Sequence, residues 1–575
     1  LTKPQYGAWM NTAVMAACSG DNNEHAMFAN ENADLIAKYS SSVNTTREIA
    51  EAYTSVQSTT GRSYPQAISD FYNAINNQGA FLVNYVGHGG PLALQLYFET
   101  AKISRLSNKD KLPFMIAATC EFAPFDNEPN NASKQLVLYP YGGMIGVLTA
   151  TRTVFGNNNH SLNVGMIEGL FTPDSEGNTR SLGDALRFAK LKTPSMINSL
   201  KYVLIGDPAV TLVNNAEYTV QTDSICGEPY ESSITPLKAL TANKIVGTVR
   251  DASGNIVENF NGEVEVSLYD KQRIRSTLGS ASPVYKYTEW GNRLFHSKFK
   301  VTDGRFDATI QLSKDIDATE GYGRLSYFAW TDTRKAKGAS DMVLVGGFAD
   351  ALQVDTVGPD LKVYMDYPQW QDGGVTSSSP MLFAEMSDIS GINAAGVGIG
   401  HNITLTIDDD PNSILSLDNY YSHLGGEGNV GQVKYQLPEM SSGHHTLSLK
   451  VWDNAGNSSE RRISMQVSSV SQIKLSDVML YPSTFTSLGD PLYLRFFHNN
   501  AGFGNTLHMA VYDLSGKLMT STKTTLPTGS SDSGVISLTD LMPRLSGMPN
   551  GVYVLNIKLI GSNGRRGEIT RKLAF

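Results

Sequence analysis

Over the first 215 residues, short apolar runs alternate with longer stretches of helical hydrophobic periodicity. The runs Thr12–Cys18, Phe81–Val86, Phe114–Thr119, Met144–Ala150 and Tyr202–Ile205 have the length and continuity of strands buried on both faces. Between them, Ala26–Tyr39, Gln66–Asn77, Lys134–Leu138, Ser161–Leu170 and Ser181–Lys192 read as helices, the last with Ser181 as its N-cap. Strands and helices in strict alternation predict a parallel sheet with helices on both faces.

After Gly206-Asp207-Pro208 the pattern changes. Helical periodicity disappears, and short alternating segments recur between Gly, Asn, Asp and Ser: Gly262–Tyr269, Arg324–Thr331, Asn402–Ile407, His445–Trp452, Leu507–Tyr512 and Gly551–Leu559. This is the signature of β-sandwich domains in series. Linker-like stretches at Gln353–Asp360 and Val467–Ile473 divide the chain into an α/β domain (1–215) and three β domains (216–355, 356–470 and 471–575). The segment His444–Ser458 has the form of the last strand and turn of an immunoglobulin-like module. In the last domain, Asp513-Leu-Ser-Gly516 is a tight hairpin between alternating strands, and the chain closes on an apolar strand ending Arg571-Lys-Leu-Ala-Phe575.

A length of 575 residues is too great for one core, in line with about three to five domains. The net charge of -9 is modest, no basic stripe points to nucleic acid, and no apolar run is long enough to span a bilayer. Three cysteines, Cys18, Cys120 and Cys226, make no disulfide framework, and without clustered His/Cys spacing no structural zinc site is expected. Leu1-Thr-Lys-Pro4 reads as the middle of a longer chain, so further sequence upstream is expected.

Two strand ends carry the candidate chemistry. Phe81–Val86 runs into Gly87-His88-Gly89-Gly90, and Phe114–Thr119 runs into Cys120-Glu121. The two are separated by one crossover's worth of chain, so neighbouring parallel strands would bring both side chains to the carboxyl edge, where open α/β sheets bind ligands. A thiol and an imidazole there make a nucleophile and its proton acceptor. Each residue has a plainer reading alone: Cys120 as a small buried hydrophobe, His88 as a turn residue. Cys18 and Cys226 read as structural. His160, which opens a helix after three asparagines, reads as a cap or a substrate-side loop residue, and His444-His445 as a surface pair.

The order hydrophobic block–His88–Gly89, then hydrophobic block–Cys120, resembles that of caspase-like cysteine peptidases. Asn84-Tyr-Val-Gly-His-Gly89 and Leu204-Ile-Gly-Asp-Pro208 resemble the gingipain-type (C25) members in particular. The family often has Ala directly before the nucleophile, where this chain has Thr119. The resemblance implies a caspase-like α/β domain followed by all-β sandwich and Ig-like domains. It implies Cys120 as nucleophile, His88 as proton shuttle, and backbone N–H groups of Gly89 and Cys120 as the oxyanion hole. Some relatives orient the histidine with an upstream acid. Asp21 and Glu24 are the candidates; the other readings of these two are solvated loop chemistry or weak structural calcium binding. No other cofactor is implied.

Tyr481-Pro482, Tyr512-Asp-Leu-Ser-Gly516, Asn550-Gly-Val-Tyr553 and Arg571-Lys572 resemble the C-terminal targeting domain of type IX secretion cargo. With this domain order, the chain is similar to the sortases of that system. The resemblance implies a bacterial cell-surface enzyme that removes the targeting domain of arriving cargo and joins the new carboxyl end to anionic lipopolysaccharide. Docking to the outer-membrane β-barrel protein PorV is implied as well, and no nucleic acid. A secreted gingipain-like endopeptidase cutting after basic residues, and an inactive surface adhesin, remain as alternatives.

Overall fold

The computed structural model describes residues 6–574 apart from 59–60, 107, 127–129, 141, 194–195, 350–354, 369, 399, 426–429, 439, 468–472, 482–490, 501–502, 528–529 and 562–564. The expected junction at 468–472, the start of the linker at 353–354, the opening tetrapeptide, Pro482 and Phe575 lie outside the described residues. The chain forms two compact units, Leu1–Leu352 and Gln353–Phe575.

The first unit begins with the α/β layer. Its elements are β1 (Thr12–Ala17), α1 (Glu24–Tyr39), β2 (Asn44–Ile49), α2 (Pro65–Asn73), β3 (Leu82–Val86), β4 (Phe114–Ala118), α3 (Ala132–Leu138), β5 (Gly146–Ala150), α4 (Gly156–Phe171), α5 (Leu182–Lys192), α6 (Met196–Lys201) and β6 (Tyr202–Gly206). They build one six-stranded sheet in the order β6-β5-β4-β3-β1-β2. Alternate strand residues serve opposite faces, as the period of two requires. Ala13, Met15, Ala17, Leu82, Val86, Phe114, Ile116 and Ala118 pack under α1, α4 and α5. Val14, Ala16, Val83, Tyr85, Met115 and Ala117 pack under α2 and α3.

Two features depart from the sequence reading. β6 is antiparallel to β5, not parallel. The reason is a helical hairpin: Gly165 of α4 lies against Ala189 of α5 and Gly169 against Ala185, so the helices run in opposite directions. The chain is thereby returned to the carboxyl edge before it re-enters the sheet. The second is β2, a strand that the polar sequence Asn-Thr-Thr-Arg-Glu-Ile conceals. It pairs in parallel with β1 at the sheet edge and is polar because a second domain covers it. Asn44 donates to Ser326 Oγ (2.7 Å) and accepts from Arg324 Nε (3.3 Å).

That second domain follows Tyr218. Its strands join into one nine-stranded sheet, with a separate hairpin of Gln272–Ser276 and Lys286–Trp290. The continuous sheet replaces the two separate sheets expected of a sandwich. The hairpin tip docks onto the α/β layer through Glu51, which is 2% exposed. The Glu51 carboxylate accepts from the Ser282 N–H (3.0 Å) and Ser282 hydroxyl (2.9 Å), and its carbonyl accepts from Leu278 N–H (2.7 Å). The same carboxylate accepts from Gly20 N–H at 2.8 Å, and Asn23 donates to Pro283 O. The loop between β1 and α1 is therefore braced from the neighbouring domain.

The second unit holds two β layers with separate cores. One packs a four-stranded sheet containing Met381–Ser387 and a five-stranded sheet containing Gly443–Trp452 around Leu382, Leu405, Leu449 and Val451. The other packs a three-stranded and a four-stranded sheet around Leu494, Phe496, Met509, Leu555 and Ile557. Among the described residues no helix is long and apolar enough to cross a membrane.

Asn84, fully buried in mid-β3, ties both helices of one layer to the central strand. Its amide accepts from Asn32 of α1 (3.1 Å) and donates to Asn163 of α4 (2.7 Å). Asn84→Leu leaves two buried amides short of partners and is expected to cost about 2–4 kcal/mol, read as a lower melting temperature of the first unit. Glu48 of β2 gives a pH signature. Burial pushes its carboxyl up to about 7, against which the Tyr53 hydroxyl donates only one bond. A carboxyl whose folded pKa lies above its unfolded value loses stability as pH rises between the two. The wild type is thus expected to gain melting temperature from pH 8 to pH 6 relative to Glu48→Gln, measured in parallel thermal scans.

Candidate active site

Three parallel strands end in register at the carboxyl edge. Ala17 of β1 pairs with Val86 of β3, which pairs with Ala118 of β4. Neighbouring strands lie about 5 Å apart. Hydrogen bonds carry the alignment past the last paired residues: Cys18 N–H donates to Val86 O (3.2 Å) and Gly87 N–H to Ala118 O (3.3 Å). His88 and Cys120 each stand two residues beyond their paired strand ends.

The loop after β1 then turns back over this edge. Asp21, Asn22 and Asn23 all take left-handed backbone, with φ of 50°, 52° and 67°. Asp and Asn are the non-glycine residues that tolerate it, because their short polar side chains can bond locally. The result is that Asp21 Oδ2 lies 2.6 Å from His88 Nε2. A carboxylate can only accept, so the proton of this contact sits on Nε2, and in the neutral ring the accepting lone pair is on Nδ1. The pair is open to solvent, with side-chain exposures of 59% for His88 and 45% for Asp21.

Of the two candidate acids, the structure brings only Asp21 to the histidine. Glu24 starts α1, and its Oε1 lies beside Gly156 at the start of α4. Two residues that the sequence reading did not connect to the site lie under it. His25 Nδ1 is 3.6 Å from Asp21 Oδ2 and 3.2 Å from Cys18 Sγ, and its ring meets that of His88 edge-on at 5.0 Å. The Cys18 thiol accepts from His88 N–H at 3.4 Å. Burial pushes this thiol up to about 11, so Cys18 is a neutral, packed group at the base of the His88 turn. Left-handed backbone at Asp21, Asn22 and Asn23 precedes the start of α1, so no regular spacing in the sequence signals that His25 joins Asp21.

Cys120 is half-buried at the end of β4 and packs against the α1/α4/α5 layer. Its Sγ lies 3.5 Å from Val154 N and 3.6 Å from Val154 O. Among the described residues, no hydrogen bond joins this sulfur to the His88 ring. Glu121 follows with φ of 47°, a sharp left-handed turn, and its N–H bonds Arg152 O (3.4 Å). Gly89 approaches the end of β4 closely: a Cβ on Gly89 would fall 2.6 Å from Thr119 Oγ1. Thr119, the residue that departs from the family pattern, thus packs under the His88 turn, 1% exposed.

At the same sheet edge, a cavity of about 390 Å³ is lined by Phe125, Ile197 and Leu200 with Asp126, Thr151, Arg152 and Lys201. α6, returned to this edge by the helical hairpin, supplies one wall. The Arg152 guanidinium holds the Asp126 carboxylate with both its Nη atoms, one at 3.0 Å.

The remaining candidates lie elsewhere. His160 is not a cap: it sits inside α4, stacked on Phe28 at 4.0 Å and paired with Glu31 at 2.9 Å. His445 is buried rather than on the surface, between Asp408 Oδ2 (2.7 Å) and Ser441 O (2.9 Å). Cys226 is exposed.

Residues 2–213, the span of the α/β domain, match the family model described as peptidase family C25. The chain is 24% identical to the dimeric latent PorU of Porphyromonas gingivalis, with a TM-score of 0.32, covering 76% of this chain and 41% of that one. It therefore spans less than half the length of that structure. With gingipain R (RgpB), titled an Arg-specific cysteine proteinase, it shares 16% identity over 57% of this chain and 67% of that one, at a TM-score of 0.31. No curated protein matches the chain.

The geometry separates the two candidate acids experimentally. Asp21→Asn is expected to slow alkylation of Cys120 by iodoacetamide by about tenfold or more, since a general base contributes at least that much when correctly held. Glu24→Gln is expected to leave the rate within about twofold, the comparison being made by mass spectrometry of the Cys120 peptide.

Proposed function

We propose that this protein is a cell-surface cysteine endopeptidase and transpeptidase, a sortase of the type IX secretion kind. The observation that carries the reading is the Asp21–His88 pair, set at the sheet edge beside the strand end that presents Cys120 in a domain that matches the C25 model. Cys120 is the nucleophile and His88 its proton acceptor, with Asp21 as the positioning acid. The sulfur attacks the scissile carbonyl, and the tetrahedral oxyanion is met by the rim N–H groups of Gly89 and Cys120. His88 passes the thiol proton to the leaving amine, and a thioester remains. An amine on the acceptor then displaces the thiol and forms a new amide; water in its place gives simple hydrolysis.

In this reading the cargo is a secreted protein with a C-terminal targeting domain, and the acceptor is an anionic lipopolysaccharide. The last β domain, with its own core, is the docking handle to a β-barrel partner such as PorV, and holds the enzyme peripherally at the outer membrane. The cavity at this edge offers little to the alternative of cleavage after basic residues. Its one acid, Asp126, is already held by Arg152, and a second cation, Lys201, shares the lining with Thr151 and three apolar side chains. A basic side chain entering there would lose its hydration without gaining a free carboxylate.

Cells carrying Cys120→Ala are expected to accumulate cargo that retains its targeting domain, detected by mass spectrometry of cargo carboxyl termini. Normal trimming in that strain would end the sortase reading. Short Arg and Lys peptides are expected to be poor substrates of the purified protein; robust turnover would favour the plain endopeptidase.

A further inference from the structure

Asp21, His25 and His88 form a ligand set in which His25 has no part in the peptidase chemistry. One ligand atom from each lies within 4.8 Å of the others. His88 Nε2 and His25 Nδ1 stand 2.6 Å and 3.6 Å from the same oxygen, Asp21 Oδ2. Zinc bonds of about 2.0–2.2 Å to nitrogen and oxygen separate tetrahedral ligands by about 3.4 Å. Seating an ion therefore asks that Asp21 and His88, both exposed side chains, part by a fraction of an ångström, and that the two ring nitrogens, within 4.8 Å of each other, settle at about the same separation. Two imidazoles and one carboxylate with an open fourth position suit zinc and its neighbours. They do not suit calcium, which takes six to eight oxygens; Glu24 is directed elsewhere, and the Asn23 amide is committed to Pro283.

We propose that Asp21, His25 and His88 bind a zinc-class divalent cation, and that the bound ion switches the enzyme off reversibly. The second half rests on the peptidase reading above. In the metal-free site Asp21 keeps the ring proton on Nε2 and the lone pair on Nδ1. Coordination through Nε2 moves that proton, by way of solvent, to Nδ1. The ring stays neutral, but the nitrogen that would accept the Cys120 proton is now a donor. The ion also withdraws Asp21 from its positioning role. His25 gives the ion an anchor outside the catalytic groups. The site is reached directly from solvent.

Calorimetric titration of the full chain with zinc chloride, with cobalt(II) absorption as the coordination readout, tests the site. One equivalent is expected, with the visible bands of tetrahedral cobalt. His25→Ala and His88→Ala are each expected to weaken binding by more than about tenfold, since even outer partners of metal ligands are worth that much. The His88 ring is largely exposed, so that variant opens no buried gap. His160→Ala and Cys120→Ala are expected to bind as the wild type does. Absence of saturable binding, retention of full affinity in His25→Ala and His88→Ala, or loss in Cys120→Ala would overturn the site. Zinc is further expected to slow Cys120 alkylation in the wild type at least about tenfold, the scale of a general base's contribution, with recovery on chelation. Unslowed alkylation with zinc bound would overturn the switch. If metal-free alkylation proves independent of His88, the peptidase reading fails while the calorimetric result stands on its own.

Discussion

Everything at the active edge depends on the register of three parallel strands. Ala17, Val86 and Ala118 are aligned across β1, β3 and β4, and the chain beyond each is still held by a backbone bond to its neighbour. A slip of one residue in β3 would turn Asn84 away from Asn32 and Asn163 and send Val83 and Tyr85 to the wrong face. The buried amide triad makes such a slip costly, because hydrophobic residues on either side could otherwise exchange faces with little penalty. The polar core residue thus fixes the placement of a histidine four positions further on.

The loop that completes the site is held from outside its own domain. Asp-Asn-Asn can take three successive left-handed residues, but a loop of that kind has little to keep it there. Glu51 supplies the constraint, bonding Gly20 on one side and the Ser282 turn on the other. The α/β layer and the nine-stranded sheet are in this sense one functional body, which agrees with their forming a single compact unit.

Much of the α/β layer is legible in the sequence because its strands are continuous apolar runs and its helices carry clear periodicity. Gly262–Tyr269 is recovered to the residue. What escapes is the structure whose sequence is shaped by a neighbour. β2 reads as polar because Arg324 and Ser326 cover it. The antiparallel β6 cannot be told from a parallel one by pattern; its direction comes from the packing of small residues between α4 and α5. At the site, His88 and Cys120 are visible as interruptions of apolar runs, and Asp21 as an acid nearby. His25 escapes because its relation to Asp21 spans a loop of unusual backbone and a helix start, where no regular period applies.

The contact between Gly89 and Thr119 links the two sides of the catalytic rim mechanically. With no side chain at Gly89 and a fully packed hydroxyl beneath it, the turn carrying the imidazole and the segment leading to the thiol interlock like meshed teeth. Neither can shift without displacing the other. A mutation accepted at either position would therefore call for a compensating change in volume at its mate.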